Sequence, residues 1–311
     1  MKHPPYHLRP NKAVDRLLLL EAIRLLERVE DLSEYTYYGF GGPYLEEFRL
    51  LYEFCPQVKM VSIEADNETY KRQEFHLPCG SLKLMKADFR SFLSQYDPDD
   101  QKSVFWLDYT GLEFSAFDDF MLLIGRVASN SVVKISLRAE PTDYIERSEE
   151  FRAKFDAVMP DSSADPPRRF KDFTVLVQSM VRVAAQRVLP SGMEHTFQPI
   201  SSFYYSDGTG MLTVTGIVCR HEETKRFRNI FRKWPFANLN WRSPKRIDVP
   251  ILSTKERLYL AKLLPCDRDA GNRLMKALGY LVDANRSSSV AKMRQYADFH
   301  RYFPYFVRAI P

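Results

Sequence analysis

The feature that most restricts the fold of this chain is an alternation of short β-rich runs with helix-like stretches. Five such runs lie at 35–38 (YTYY), 58–63 (VKMVSI), 82–86 (LKLMK), 103–107 (SVFWL) and 131–137 (SVVKISL), with helical patterns at 44–54, 67–76, 89–95 and 114–128 between them. Strands joined through helices are laid parallel by right-handed crossovers, so the pattern predicts an α/β, doubly wound, mostly parallel sheet. Two further β-rich runs, within 197–220, flank Asp207-Gly208, a strong signal for a hairpin turn. They bring the expected sheet to seven strands and close it with an antiparallel hairpin.

Around this frame the chain divides into three. Residues 1–220 form the expected Rossmann-like domain, with an N-terminal helix inside 1–30 (12–29 by periodicity) and a helical insertion at 140–190. The insertion holds a charged helix at 143–158, a Pro/Asp/Ser loop at 160–169 and an amphipathic helix at 170–188. Residues 221–250 read as a basic, aromatic linker bent at Trp234-Pro235 and Ser243-Pro244. Residues 251–311 read as a small helical domain of three helices. Ser253 and Glu256 make a capping box for the first, over 254–264. Asp267 or Asp269 starts the second, which ends near Val282, and Ser287 to Ser289 start the third, which runs to Arg301.

The strands end in residues that carry chemistry. The first runs into Gly39-Phe40-Gly41-Gly42-Pro43, where glycines permit positive φ and close approach of a ligand, and proline suits a first helical turn. Tyr44 stands where a dinucleotide fingerprint would have its third glycine. The second strand ends at Glu64, an acid placed to accept bonds from both ribose hydroxyls of a nucleoside cofactor. The third ends in Asp88-Phe89, where a carboxylate meets an exocyclic adenine amine and a ring covers the base; the alternative is that Asp88 caps the following helix. The fourth ends in Asp108-Tyr109-Thr110-Gly111, where plain capping and packing would account for Asp108 and Tyr109. All four ends fall on one sheet edge, the edge where open α/β sheets bind ligands.

Charge points elsewhere. The chain carries a net +5, but residues 220–311 hold 20 Lys/Arg against 8 Asp/Glu, and 1–219 hold 25 against 32. A basic third on an acidic body suits a polyanion, most often nucleic acid, or a basic segment docked on an acidic protein surface. Lys245 and Arg246, with Trp234 and Trp241 nearby, and Arg286, Lys292 and Arg294 on or before the third C-terminal helix are the candidate nucleic-acid-binding residues. Arg9, Asn11 and Lys12 (HLRPNK) are candidates to close over the pocket.

Other classes are excluded by omission. There is no Gly-x-Ser-x-Gly and no Walker-type loop. Neither Cys55, Cys79, Cys219 and Cys266 nor His3, His7, His76, His195, His221 and His300 have metal-ligand spacing, so no metal site is expected. No apolar run approaches a membrane span, and the N-terminal residues lack the apolar core of a secretory signal. Free thiols and no leader set the expectation of a cytoplasmic protein.

The glycine-rich turn, Glu64, Asp88, Asp108-Tyr109 and the closing hairpin together resemble the class I S-adenosylmethionine-dependent methyltransferase superfamily over roughly residues 30–220. Within it, Leu107-Asp108-Tyr109-Thr110-Gly111 is similar to the Asp-Pro-Phe-Gly stretch of tRNA guanine-N2 methyltransferases and of the three-Cys-motif partner proteins. The C-terminal region resembles the winged-helix-like module of some bacterial members, several of which sit in mobile-element or defence gene sets. Asp108 is followed by tyrosine rather than proline, and the Asp-Pro-Pro-Tyr of amino-methylating adenine enzymes is absent.

The resemblance implies S-adenosylmethionine as cofactor. It places the methionine and ribose at Gly39, Gly41 and Gly42, the ribose hydroxyls at Glu64, the adenine at Asp88 and Phe89, and catalysis at Asp108 and Tyr109. It further implies methylation of a nucleic acid gripped by the basic C-terminal domain. The rival is a non-catalytic methyltransferase-like subunit that binds a nucleotide-type ligand or a protein partner encoded by a neighbouring gene, as in a multi-protein defence system.

Overall fold

The computed structural model describes residues 9–98, 101–144, 147–161, 165–266 and 269–303. Asp267, one of the two expected helix starts, and His3 and His7 lie outside the described residues. By backbone contacts the chain separates into two compact units: residues 19–204 with 208–245, and residues up to 18 with 205–207 and those from 246 on.

The larger unit is built on the sheet. Its strands are β1 (Thr36–Gly39), β2 (Lys59–Glu64), β3 (Leu82–Lys86), β4 (Ser103–Asp108), β5 (Ser131–Arg138), β6 (His195–Ser206) and β7 (Gly210–Arg220), with a two-residue β8 (Lys245–Arg246). They lie in the order β3-β2-β1-β4-β5-β7-β6-β8. β1 to β5 are parallel, and β7 runs antiparallel to β5 with Val133 opposite Gly216. The expected sheet therefore forms, with one more strand than the sequence suggested, because Lys245–Arg246 adds to the β6 edge. Strand order reverses between β1 and β4, which leaves a crevice above their C-terminal ends.

Period-two alternation decides which face is apolar. On β5, Val133, Ile135 and Leu137 enter a core closed by α4 (Phe89–Gln95), α5 (Phe114–Ile124) and α7 (Phe170–Val188). Each such side chain, fully buried, contributes about 1.5–3 kcal/mol. The opposite face carries polar groups. Lys134, wholly buried, places its Nζ 4.2 Å from the centroid of Trp106, its neighbour across the β4–β5 pair, and the indole donates to Ser136 Oγ at 2.8 Å. A desolvated cation–π contact of this kind is worth about 2 kcal/mol or more.

The insertion between β5 and β6 contains α6 (Ser148–Phe155) and α7, the latter where the sequence placed it. The supposed linker after β7 is more ordered than its composition suggested. Its first part folds as α8 (Thr224–Phe231), with Phe227 and Phe231 fully buried, and Trp234 donates its indole N–H to Glu21 at 2.6 Å. Interleaved basic residues obscure the periodicity there; only the two phenylalanines mark the inner face.

In the smaller unit the start of α1 (Pro10–Leu26) is tied to the hairpin turn. Asp207 accepts from the backbone N–H groups of Asn11 (3.3 Å) and Lys12 (2.9 Å) and from Asn11 Nδ2 (2.7 Å), and Asn11 Oδ1 accepts from Val249 N at 2.8 Å. The C-terminal helices are α9 (Thr254–Ala261), α10 (Ala270–Leu278) and α11 (Arg286–Phe299). The Ser253–Glu256 capping box forms as expected, and a second one joins Asn285 and Ser288. The described residues from 247 to 303 contain no strand, so the wings that a winged helix requires are not among them. No helix among the described residues is long and apolar enough to cross a membrane.

Candidate active site

The glycine turn is a tightly braced corner. Gly41 and Gly42 both have positive φ (66° and 54°), Pro43 is the second residue of a single 3-10 turn (Gly42–Tyr44), and Leu45 is left-handed before α2 (Glu46–Phe54) begins. A Cβ on Gly41 would lie 2.7 Å from Leu45 Cδ2 and from Ser62 Oγ. Glycine is therefore required twice, by conformation and by packing. Beneath the turn Gln73, fully buried on α3 (Asn67–Phe75), donates through Nε2 to the carbonyls of Phe40 (3.1 Å) and Gly42 (3.0 Å) and accepts from Ser62 Oγ at 3.0 Å. The sequence reading missed Gln73, which looks like one more polar residue on a charged helix.

Next to this corner, above the ends of β2, β3 and β4, opens a cleft of about 440 Å³ lined by Phe40, Ile63, Glu64, Ala65, Ala87, Asp88, Phe89, Arg90, Tyr109 and Asp119. Four of the residues singled out from the sequence, Glu64, Asp88, Phe89 and Tyr109, meet here. Gly39, Gly41, Gly42 and Asp108 are not in its wall; of the turn, Phe40 is. Phe40 makes edge contacts with Phe89 (centroids 5.9 Å apart) and Tyr109 (5.7 Å), giving the cleft an aromatic side.

Its polar groups differ in how far they are committed. Glu64, half-buried at the end of β2, accepts the backbone N–H of Asp66 at 2.8 Å through Oε1. Burial raises its carboxyl above the ordinary range, while backbone N–H groups of Asp66 and Ala65 pull it down. Asp88 is the N-cap of α4, the bland alternative seen in the sequence: Oδ1 accepts Ser91 N at 2.9 Å and Oδ2 accepts Ser91 Oγ at 2.5 Å. Those two bonds hold its carboxyl below the usual range.

Tyr109 turns its hydroxyl to Asp119 Oδ2 at 2.7 Å, and Arg90 binds Asp119 Oδ1 through Nε at 2.8 Å while reaching Asp118 at 2.5 Å. Burial, and then the Asp119 charge, push the Tyr109 phenol far above its normal value, so it is a neutral donor. Arg90 and Asp119 escaped the sequence reading. A signal was there: Asp119 stands on the apolar core face of its helix, between Ala116 and Leu123, with its side chain 9% exposed.

Asp108 ends β4, half-buried, next to a backbone bond from Tyr109 N to Ser136 O. In the larger unit Lys245 lies over the Phe236 ring, 4.9 Å from its centroid. In the smaller unit Arg246 pairs with Asp248 at 3.0 Å, Lys292 binds the same carboxylate, and Arg286 and Arg294 are exposed. Asn11 and Lys12, considered as a closing segment, are buried, and Asn11 is spent on the hairpin turn and Val249; Arg9 stands half-buried just before α1.

The strand order and the closing hairpin are those of class I methyltransferases, and comparison with known proteins agrees. A family model described as "Putative O-methyltransferase" matches residues 4–311. Among solved structures the chain is similar to Trm1 from Pyrococcus horikoshii, in complex with S-adenosyl-L-methionine, at 10% identity over 93% of this chain and 76% of that one, with a TM-score of 0.50. It is also similar to the plantazolicin methyltransferase BpumL, in complex with a pentazolic analog and SAH (11%, 67% and 86%, TM-score 0.40). A third is TYW2 from M. jannaschii in complex with AdoMet (11%, 65% and 75%, TM-score 0.35). Identities this low speak for the fold alone. Among curated proteins no match is found.

Proposed function

The chain belongs to this O-methyltransferase family, and from that premise we propose that it transfers a methyl group from S-adenosylmethionine to a hydroxyl oxygen carried by a nucleic acid. The observation that carries the cofactor half is the cleft, whose donor set fits a nucleoside: a carboxylate at the end of β2 for two ribose hydroxyls, and flat apolar and aromatic walls for a base. When bound, the cofactor supplies a methyl group already activated on a sulfonium. The chain's own residues then have modest tasks. Glu64 accepts from the ribose hydroxyls; Ile63, Ala87, Phe40 and Phe89 exclude water from the base; the glycine corner, held by Gln73, keeps backbone close to the methionine end.

An oxygen acceptor loses its proton as the new C–O bond forms and the C–S bond breaks. Asp108 at the β4 end is the carboxylate we assign to orient the hydroxyl and take that proton. Tyr109 is not assigned to that step, because its hydroxyl is committed to Asp119. The nucleic-acid half rests on the basic C-terminal third, where exposed Arg286 and Arg294 offer phosphate contacts. Lys245, Arg246 and Lys292 stay in that set as weaker members, since two of them share Asp248. The natural oxygen acceptor is the ribose 2′-hydroxyl, the one nucleophilic hydroxyl an RNA chain repeats at every residue.

Labelled methyl transfer to RNA, DNA and protein extracts tests this. Label in RNA that is lost when Asp108→Ala is introduced supports it. Label in protein or a small molecule, with a flat response to salt, removes the nucleic-acid half. The committed state of Asp88 and of the Tyr109 hydroxyl favours one rival, a cofactor-binding subunit without transfer activity; it gains if cofactor binds and no extract is labelled.

A further inference from the structure

Asp88 was the sequence's candidate for reading the base, yet the structure gives it another task. It is exposed, caps α4, and receives both the amide and the hydroxyl of Ser91. A hydrogen bond offered to so exposed a carboxylate competes with water and discriminates weakly. The buried carboxylate of the same cleft is Asp119. Its position is fixed from two sides, by Arg90 Nε on Oδ1 and the Tyr109 hydroxyl on Oδ2, and each of those partners also lines the cleft.

A carboxylate has about four acceptor positions and a guanidinium five N–H donors, so this pair has bonding capacity beyond the contacts between them. Side by side it presents an acceptor and a donor. The amino edge of adenine presents the complement, an N–H donor at the exocyclic amine beside the ring N1 acceptor.

We propose that the Arg90–Asp119 pair, held in place by the Tyr109 hydroxyl, reads the amino edge of the cofactor's adenine, and that Asp88 does not. The assignment rests on the cofactor reading above and makes Tyr109 a positioning residue. It also explains why a carboxylate stands on the apolar face of α5, where folding alone would favour an apolar side chain.

The test compares two ligands of equal size by calorimetry: S-adenosylhomocysteine and its deaminated analogue, S-inosylhomocysteine. In the analogue the amine is a carbonyl and N1 is a donor, so the hydrogen-bond pattern is inverted. Wild type is expected to bind the adenosyl ligand about 100-fold more tightly, the size of a well-formed bidentate contact to a base edge. Asp119→Asn, whose amide can face the carbonyl, should narrow that ratio to within about threefold. Tyr109→Phe removes one hydroxyl and should lower the ratio by about tenfold, through lost positioning. Asp88→Asn, which keeps an N-cap acceptor for Ser91 N, should keep the full ratio.

Equal binding of the two ligands by wild type, an unchanged ratio in Asp119→Asn, or collapse of the ratio in Asp88→Asn each overturns the assignment. Should Asp119→Asn fail to fold, Tyr109→Phe decides: an unchanged ratio there overturns it. Absence of any wild-type affinity for S-adenosylhomocysteine defeats the cofactor reading itself and this assignment with it, an outcome distinct from a ratio near one.

Discussion

The cleft and the C-terminal helices are both rich in charge, and they use it in opposite ways. In the cleft, half-buried Glu64 and buried Asp119, the latter paired with exposed Arg90, stand in a concave wall with acceptor and donor capacity left for a ligand. In the helical segment, Lys292 and Arg246 neutralise one carboxylate, Asp248, and exposed Arg286 and Arg294 face solvent. A count of 20 basic against 8 acidic residues in the C-terminal third therefore overstates its reach. Which charges a protein offers outward is decided by what else those charges touch.

The sharpest way to break this comparison is to disturb each region at a glycine. Gly41→Ala forces a Cβ to 2.7 Å from Leu45 and Ser62 at a positive φ. It should cost about 2–4 kcal/mol of stability and weaken S-adenosylhomocysteine binding as well. Gly271→Ala places a Cβ 2.4 Å from the Val290 carbonyl oxygen where α10 meets α11. It should cost about 1–3 kcal/mol and leave cofactor affinity unchanged. Thermal melts and calorimetry on both variants check this; loss of cofactor binding in Gly271→Ala would mean that the two regions are energetically coupled.

A smaller effect follows from the raised Glu64 carboxyl. The ribose contact proposed for Glu64 needs the ionised form. Affinity for S-adenosylhomocysteine should therefore begin to fall on acidification at a higher pH than an exposed glutamate would give, by up to about tenfold per pH unit below that point. Glu64→Gln should bind weakly with a flat profile in calorimetry across the acid range. Stability takes the opposite sign at this group, because a raised folded pKa makes the native state hold the proton more tightly than the unfolded chain. Its stabilising contribution is present below the unfolded value and is lost as pH rises through the folded one.

Smaller again is the difference within the basic set. Neutralising Arg286 and Arg294 together should reduce the slope of log affinity for RNA against log salt by about two, one per phosphate contact. Arg246→Gln with Lys292→Gln should change it by less than about one, since both already answer Asp248. Binding titrations over a range of salt concentrations measure both. Equal slopes for the two pairs would mean that the Asp248 ion pairs open when nucleic acid binds.

The contrast also shows where reading a sequence succeeds. The sheet was legible because period-two runs, crossover helices and an Asp-Gly turn each point to the same topology, and strand ends in such a topology share an edge. The places of Glu64 and Phe89 in the cleft wall followed from that alone. Asp88 fell on the edge too, but a carboxylate three residues ahead of a backbone amide is also an N-cap, and only coordinates show Ser91 taking both oxygens. Asp119 and Gln73 arrive from helices, whose side chains reach a strand-end site only after packing is known. α8 hid in a basic stretch because its inner face is two phenylalanines wide. Pairing of Lys292 with Asp248 spans 44 residues and has no local signature.

The role proposed for the cleft depends on Glu64 receiving the ribose of a bound nucleoside. Calorimetry of S-adenosylhomocysteine with wild type and with Glu64→Ala tests it. The account predicts one ligand per chain for wild type and about 100-fold weaker binding for the variant, the loss of two hydrogen bonds to a charged acceptor. Binding of equal strength in the two proteins, or none to wild type, would contradict it.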